Sequence, residues 1–104
     1  MKIAITSTSN TLKGQLDSRF ARCSYFVIYD TETRHSEIVI NPNKDVEEGA
    51  GPAAVRFIAS YGVSKVVSGE FGMKIKSLLL DLKIQMIMIK EAKSIREIIE
   101  LLNH

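Results

Sequence analysis

The residues best suited to chemistry lie close together, just ahead of an aromatic, strand-like run. Arg19 and Arg22 are counter-charges that suit an anion, Phe20 lies between them, and Cys23 is the single cysteine of the chain. A cysteine thiolate is a metal ligand, so the stretch predicts a site for an anion that contains metal, with Cys23 as its one metal ligand. The alternative stays open at this point, because surface arginines are usually solvated and a lone cysteine is often a small buried hydrophobic residue.

Two pairs of glycines extend this candidate site. Gly49 and Gly51 precede one predicted helix, and Gly69 and Gly72 precede another. Backbone N–H groups exposed at the start of a helix favour an anion. Neither pair fits a phosphate-binding or dinucleotide-binding motif, so the sequence carries no nucleotide signature.

Hydrophobic periodicity predicts the elements that must position these residues. The order is β-β-β-α-β-α-β-α, with strands at residues 2–6, 25–29, 36–40, 65–68 and 84–89 and helices at residues 53–61, after residue 72 and after the capping box at 94–97. The last strand is almost uninterruptedly apolar, which predicts that it is covered on both faces. Pro52 is predicted to open the first helix, where its missing N–H costs nothing.

The predicted topology brings the unusual loops to one place. If the first three strands form an antiparallel meander and the helices make right-handed crossovers, the sheet is mixed. One edge then collects the loops at residues 6–11, 19–23, 49–52, 69–72 and 90–93. Ligands of open α/β sheets bind at the carboxyl ends of the strands, so we expect the candidate site at this edge.

Composition and charge exclude several classes of protein. The 104 residues carry 14 basic and 12 acidic side chains, and the net charge of +2 is too small to predict binding to nucleic acid. No apolar run is long enough to cross a bilayer, and polar residues follow so soon after Met1 that we expect no signal peptide. One cysteine allows no internal disulfide, which predicts a reducing setting. We therefore expect a single cytoplasmic domain over residues 1–104 that contacts neither nucleic acid nor membrane.

The sequence gives little support to catalysis. His35 falls in the predicted hairpin turn at the far edge of the sheet and His104 is the last residue, so neither forms an evident triad with Cys23. The carboxylates are scattered over loops, unlike those of a two-metal nuclease. One cysteine and two histidines are also too few for a closed zinc or iron–sulfur site, so full coordination needs a second subunit or a cofactor with its own ligands. We predict that the protein is not an enzyme, and we leave open whether it is a monomer or a homodimer.

Four sequence motifs carry a family resemblance. Arg-Phe-Ala-Arg at residues 19–22, Gly-Ala-Gly-Pro-Ala-Ala at 49–54, Tyr-Gly-Val at 61–63 and the Gly-x-x-Gly at 69–72 occur in this order along the chain. Together they resemble the dinitrogenase iron–molybdenum cofactor biosynthesis accessory family, whose better-known members carry or receive iron–sulfur cofactor precursors on the way to nitrogenase. The resemblance implies a three-layer ribonuclease H-like α/β fold with a five-stranded mixed sheet.

The resemblance also implies residues for a site. Arg19, Phe20 and Arg22 match the arginine–phenylalanine motif of the family, and its loop motif is matched by Gly49, Gly51 and Pro52. Two departures are visible. Ala21 replaces a common glycine, and residues 41–52 lack the histidine that many relatives carry near the glycines.

These observations predict a small stand-alone member of that family that acts as a non-catalytic carrier. Its cargo is an anionic cluster of the iron–sulfur or iron–molybdenum type, and its partner is a protein that donates or accepts the cluster. The predicted cofactor-binding residues are Arg19, Phe20, Arg22, Cys23, Gly49, Gly51, Gly69 and Gly72. Two alternatives remain at this point: a protein-interaction or regulatory module, and a binder of a small phosphorylated ligand.

Overall fold

Apolar runs form one five-stranded sheet, and three amphipathic helices cover it. The computed structural model describes residues 1–103, so that the terminal histidine, His104, lies outside the described residues. The elements are β1 (Lys2–Ser7), β2 (Tyr25–Asp30), β3 (Ser36–Ile40), α1 (Ala50–Ala59), β4 (Val63–Ser68), α2 (Met73–Asp81), β5 (Gln85–Met88) and α3 (Ile95–Leu102). The predicted α/β class, with a mixed five-stranded sheet and three helices, is confirmed.

The strands do not lie side by side in chain order. Across the sheet they follow the order β3-β2-β1-β4-β5. β1 and β2 pair antiparallel across the long connection at residues 8–24, and β2 and β3 pair antiparallel across the short turn at residues 31–35. β1 and β4 pair parallel, as do β4 and β5, because helices cross over between them. β1 is therefore the central strand, and β1, β3, β4 and β5 all end at the same edge of the sheet.

Alternating side chains of the sheet enter two separate cores. Ala4 and Val66 face α1 and α2, where they pack with Phe20, Phe26 and Leu79. The opposite face carries the apolar residues that pack against α3, which are Ile3, Ile5, Val27, Tyr29, Val67, Ile95 and Ile98. The sheet is thus the middle of three layers. None of the helices in residues 1–103 has the length and apolar character needed to cross a membrane.

The first helix begins earlier than predicted. Ala50 is its first residue and Pro52 its third, and Gly49 precedes it with a φ of 74°. The first four N–H groups of a helix have no intrahelical acceptor, so proline is tolerated at the third position as well as at the first. The prediction that Pro52 opens the helix was wrong by two residues for that reason.

The last strand is less buried than predicted. Gln85 and Met88 are exposed, while Met86 and Ile87 are partly buried against the two cores. β5 lies at the end of the sheet and pairs only with β4. An uninterrupted apolar run does not distinguish a central strand from an edge strand, which explains the error.

Candidate functional site

The carboxyl edge of the sheet is closed by the segment that precedes β2. The N–H of Asp17 donates to the Thr6 carbonyl at 3.0 Å, and the Thr6 hydroxyl donates to the Asp17 carbonyl at 2.7 Å. The N–H of Gly69 also donates to the Asp17 carbonyl, at 3.3 Å. Asp17 is therefore tied to the ends of β1 and β4. Arg19 follows it and pairs in parallel with Glu70 of the β4–α2 turn.

Arg19 is fixed by the carboxylate of Asp17. Its Nε donates to Asp17 Oδ1 at 3.2 Å and its Nη2 to Asp17 Oδ2 at 3.1 Å. The backbone N–H of Arg19 donates to Oδ1 as well, at 2.9 Å. The Asp17 side chain is only 4% exposed, whereas that of Arg19 is 57% exposed. The hydrogen bond to Asp17 raises the pKa of Arg19, so the guanidinium stays charged. The exposed side chain presents this charge to solvent.

An open groove of about 260 Å³ is lined by two neighbours of this arginine, Ser18 in the chain and Glu70 across the bridge. Ser18 and the β4–α2 turn form one wall, the segment after β5 forms the other, and the lining residues are Leu16, Ser18, Gly69, Glu70, Ile89, Lys90, Glu91 and Ala92. The apolar side chains of Leu16 and Ile89 belong to the core on the α3 side. The groove thus combines apolar surface with charged groups, as small-ligand sites do.

Three basic side chains in the segments that form or adjoin the groove have an acidic partner. Arg19 pairs with Asp17, and the Lys90 Nζ lies 3.5 Å from Glu70 Oε1. The Lys93 Nζ lies 3.6 Å from Glu91 Oε2. The edge therefore offers directed N–H donors rather than a net positive charge.

Arg22, predicted to neutralise the ligand, is used to hold the long loop at residues 41–49. Its Nη1 donates to the carbonyls of Lys44, at 3.0 Å, and of Val46. Asn41 fixes the start of the same loop, because its Nδ2 donates to the carbonyls of Ala21 and Cys23 at 2.9 Å each. Arg22 therefore does not join Arg19, although only two residues separate them.

Phe20 and Cys23 are core residues. Phe20 is 3% exposed, and its ring centroid lies 5.9 Å from that of Phe26 and 5.8 Å from that of Phe71. Cys23 is fully buried in the same core, where its thiol donates to the Phe20 carbonyl at 3.4 Å. Both residues therefore anchor the segment that carries Arg19 instead of facing the groove.

The environment of Cys23 disfavours its thiolate. Burial, with a further contribution from the negative charge of Asp17, raises the pKa of the Cys23 thiol to about 12. A metal ligand has to be deprotonated, and it has to be reachable. In this geometry Cys23 meets neither condition. Within residues 1–103, no three side chains of His, Cys, Asp or Glu are grouped so that they could hold a metal ion.

The four glycines have different roles. A Cβ on Gly69 would lie 2.6 Å from Ser18 Cα, so glycine is required where the segment before β2 crosses the end of β4. A Cβ on Gly51 would lie 2.4 Å from Ile75 Cδ1, which places the start of α1 directly against α2. Gly49 and Gly72 are the N-caps of α1 and α2, and both are exposed. Neither helix start has a side-chain cap, so their first N–H groups point to the carboxyl edge without a side-chain partner.

Sequence reasoning missed Asp17 and Lys90. The available signal for Asp17 was its spacing, because an aspartate two residues before an arginine can accept the N–H of that arginine and its guanidinium together. Lys90 had no local signal, since the approach of the segment after β5 to Glu70 depends on the parallel pairing of β5 with β4.

Comparison with known proteins places the chain in a family. The family described as "Dinitrogenase iron-molybdenum cofactor" matches residues 1–104. A curated relative, an uncharacterised protein of Methanocaldococcus jannaschii, is 30% identical over 87 residues, which are 81% of this chain and 70% of that protein.

Solved structures have the same fold. The apo form of the orange protein from Desulfovibrio gigas is 28% identical, with a TM-score of 0.90 over 97% of this chain and 85% of that one. An NMR structure of a NifB-like Thermotoga protein of the DUF35 family is 31% identical, with a TM-score of 0.83 over 97% of this chain and 85% of that one. The crystal structure of the protein PH0822 is 23% identical and has a TM-score of 0.83 over 99% of this chain and 88% of that chain, which supports the fold alone.

Proposed function

The chain belongs to the dinitrogenase iron–molybdenum cofactor family, and on that premise we propose that it is a non-catalytic carrier of an anionic metal–sulfur cluster. The cargo is an iron–molybdenum cofactor, or an iron–sulfur precursor of it, held at the carboxyl edge of the sheet. The observation that carries the proposal is the exposed guanidinium of Arg19, which Asp17 holds still. Arg19 follows Ser18 in the chain and pairs with Glu70, and both of these neighbours line the open groove.

The cluster is held by contacts with its outer atoms. A charged guanidinium donates hydrogen bonds to sulfide or oxygen atoms of an anion without replacing a metal ligand. The N–H groups at the starts of α1 and α2 add donors of the same kind. Because Cys23 is buried, the cluster keeps the ligands it arrives with, and the predicted role of Cys23 as a ligand is not part of this proposal.

Two relatives support a cargo of this kind. The orange protein, 28% identical to this chain, was solved in an apo form, a term that describes a protein without its bound group. The Thermotoga relative bears the name NifB, which connects it with the same family description. Neither relative identifies the cargo of this chain, so the cargo is part of the proposal.

The test is an anaerobic binding experiment. Protein is incubated with isolated iron–molybdenum cofactor and passed through a sizing column, and molybdenum and iron are measured in the protein fraction. We expect saturable binding with one cofactor per chain. The matched variants are Arg19→Gln, which removes the proposed donor, and Arg34→Gln, which removes an exposed arginine of the β2–β3 turn. Binding that is absent from the wild type, or equal in both variants, would contradict the proposal.

A second candidate function is recognition of a partner protein at the same edge. Two large apolar side chains are unusually exposed there: Ile40 at the end of β3 is 71% exposed, and Met73 at the start of α2 is 82% exposed. Exposed apolar side chains near a ligand site suit contact with the protein that delivers or receives the ligand. A pull-down with Ile40→Lys and Met73→Lys tests this, and capture that is unaffected by both variants would contradict it.

Several finer properties of the protein remain predictions. They are the cytoplasmic setting, the monomeric or homodimeric state, the ribonuclease H-like classification and the small phosphorylated ligand as an alternative cargo. The last is tested in the same binding experiment, because a phosphate ester that displaces the cofactor would assign the edge to phosphorylated ligands.

A further inference from the structure

We propose that Asp17 is the positioning residue of this site, and that it selects the edge of the Arg19 guanidinium which the anion meets. The inference rests on the proposed function and deepens it, because it says how the site recognises an anion without net positive charge.

The guanidinium has two edges that can each hold a pair of acceptor atoms, and Asp17 occupies one. Nε and Nη2 of Arg19 contact the two oxygens of Asp17 at 3.2 and 3.1 Å. A guanidinium has five N–H donors, so these two bonds leave both hydrogens of Nη1 and one of Nη2 free. The free donors form the end of the side chain, and Arg19 is 57% exposed. Arg19 therefore offers one parallel pair of N–H groups to two neighbouring acceptor atoms of a ligand.

Asp17 is rigid enough to fix that orientation. Its side chain is 4% exposed, and its Oδ1 also accepts the backbone N–H of Arg19 at 2.9 Å. Its own backbone is bonded to Thr6 and Gly69, at the ends of the two central strands. An arginine side chain loses much rotamer freedom when it binds a ligand, and a side chain that is already held loses less. Because of the buried carboxylate, the Arg19 side chain loses its rotamer freedom when the protein folds and not when the ligand binds.

This arrangement predicts an effect opposite to that of simple charge. Removing the carboxylate by Asp17→Asn adds a net positive charge beside the site, which by attraction alone would strengthen the binding of an anion. The same change loosens the guanidinium, because the amide Nδ2 that replaces Oδ2 is itself a donor and cannot accept the N–H of Arg19 Nη2. If orientation matters more than charge, Asp17→Asn weakens binding although the site becomes more positive.

The ligand class follows from the geometry of the free edge. Two parallel N–H donors fit an anion with two acceptor atoms on one centre, such as an edge of a tetrahedral metal–sulfide or oxyanion group. Tetrathiomolybdate is a coloured molybdenum–sulfur dianion of this shape, and molybdate is its oxygen counterpart. Comparing the two separates sulfide from oxygen recognition, and we expect binding of tetrathiomolybdate.

The test is a double-mutant cycle with tetrathiomolybdate, followed by absorption, on wild type, Asp17→Asn, Arg19→Gln and the double variant. We expect Arg19→Gln to weaken binding about tenfold, the typical effect of losing a charged hydrogen-bond donor. Asp17→Asn should weaken it about three- to tenfold, and the double variant should match Arg19→Gln within about twofold, because Asp17 acts through Arg19. Asp17→Asn that binds as tightly as wild type or more tightly, or losses that multiply in the double variant, would overturn the proposal.

A measurement without ligand separates this inference from the proposed function. In ¹⁵N relaxation of arginine side chains, the Arg19 Nε–H should have an order parameter of about 0.8 in the wild type and below about 0.6 in Asp17→Asn. Arg34 should be mobile in both and serves as the control. A mobile Arg19 in the wild type would overturn the positioning role whatever the ligand does. A rigid Arg19 together with no binding of tetrathiomolybdate or of isolated cofactor would instead overturn the proposed function, and with it the use of the free edge, while leaving the Asp17–Arg19 contact intact.

Discussion

At the scale of single residues, neighbouring side chains of one short segment have opposite surroundings. Arg19 faces solvent and is held by Asp17, whereas Cys23, four residues later, is fully buried beneath Asn41. The residue types predicted a cluster of functional groups, but residue types do not specify which way each side chain points. Arg22 illustrates this, since its guanidinium is used by the carbonyls of the long loop. Under the proposed function, Arg19 is therefore the residue of the motif that meets the ligand, and Phe20, Arg22 and Cys23 belong to the scaffold.

The first prediction concerns the thiol of Cys23. Burial raises its pKa to about 12 from the ordinary value of 9.0, so the folded state holds its proton more tightly than the unfolded state does. The stabilisation is complete below pH 9 and is lost as the pH rises toward 12. The free energy of unfolding should fall in this range with an extra slope of up to about 1.4 kcal/mol per pH unit.

Urea unfolding of wild type and Cys23→Ala between pH 8 and pH 11 measures this slope. The variant is less stable at pH 8 because it leaves a small cavity, and the difference between the two proteins should shrink as the pH rises above 9. A difference that stays constant with pH would show that the thiol is not protected, and rapid reaction of native Cys23 with a thiol reagent would show the same.

The second prediction concerns Arg22 and the loop at residues 41–49. Arg22→Gln removes two hydrogen bonds to loop carbonyls, so the loop should open more often. Trypsin should then cut after Lys44 roughly tenfold faster than in the wild type, given the usual strength of such bonds. Arg34→Gln is the matched control, and trypsin should cut it after Lys44 at the wild-type rate. Equal rates in the two variants would mean that Arg22 does not hold the loop.

At the scale of secondary-structure elements, the junction of β4 and α2 controls the shape of the site. Gly69 lets the segment before β2 cross the end of β4, and this crossing brings Ser18, which lies between Asp17 and Arg19, into the groove wall. Gly72 is three residues later, and a Cβ there would lie at an ordinary contact distance of 4.0 Å from Ile75 Cγ1. The sequence predicted a glycine turn that opens a helix, and it could not tell which glycine is required by packing.

The third prediction uses this pair of glycines. Gly69→Ala should destabilise the protein by about 1–3 kcal/mol, because its Cβ would meet the backbone of Ser18 at 2.6 Å. Gly72→Ala should cost less than about 1 kcal/mol, since only the preference of the N-cap position is lost. Chemical unfolding of both variants measures the difference, and equal losses would contradict the close crossing at Gly69.

Much of the element pattern could be predicted from local sequence. The strand at Ser36–Ile40 has the predicted bounds, and the capping box at Ser94 and Glu97 is formed. Errors arose where a boundary or a burial depends on distant residues. Residues 50–52 belong to α1 because proline is tolerated throughout the first turn. β5 is half exposed because it lies at the end of the sheet, where it pairs with β4 on one side. The convergence of loops was predicted from topology. The ion pair between Lys90 and Glu70 could not be predicted, because the two residues are far apart in the chain and no local sequence pattern connects them.

At the scale of the whole molecule, charge is nearly balanced. The net charge is +2, and around the groove Arg19, Lys90 and Lys93 each have a carboxylate partner. Long-range attraction of an anion should therefore be weak, and under the proposed function recognition depends on donors at short range.

The fourth prediction follows from this balance. The dissociation constant for tetrathiomolybdate should rise by less than about threefold between 50 and 300 mM sodium chloride, because paired charges add little long-range field for salt to screen. Asp17→Asn, which leaves Arg19 unpaired, should show the steeper dependence. A tenfold or larger loss in the wild type would indicate attraction by net charge and would contradict recognition by directed donors.

The measurement that tests the central claim most directly is the affinity of isolated iron–molybdenum cofactor for wild type, Arg19→Gln and Cys23→Ser under anaerobic conditions. If the cluster is held by its outer atoms at the carboxyl edge, the wild type binds one cofactor, Arg19→Gln binds it about tenfold more weakly and Cys23→Ser binds it like the wild type. Binding that is lost in Cys23→Ser and kept in Arg19→Gln would make the buried thiol the ligand and would contradict the claim.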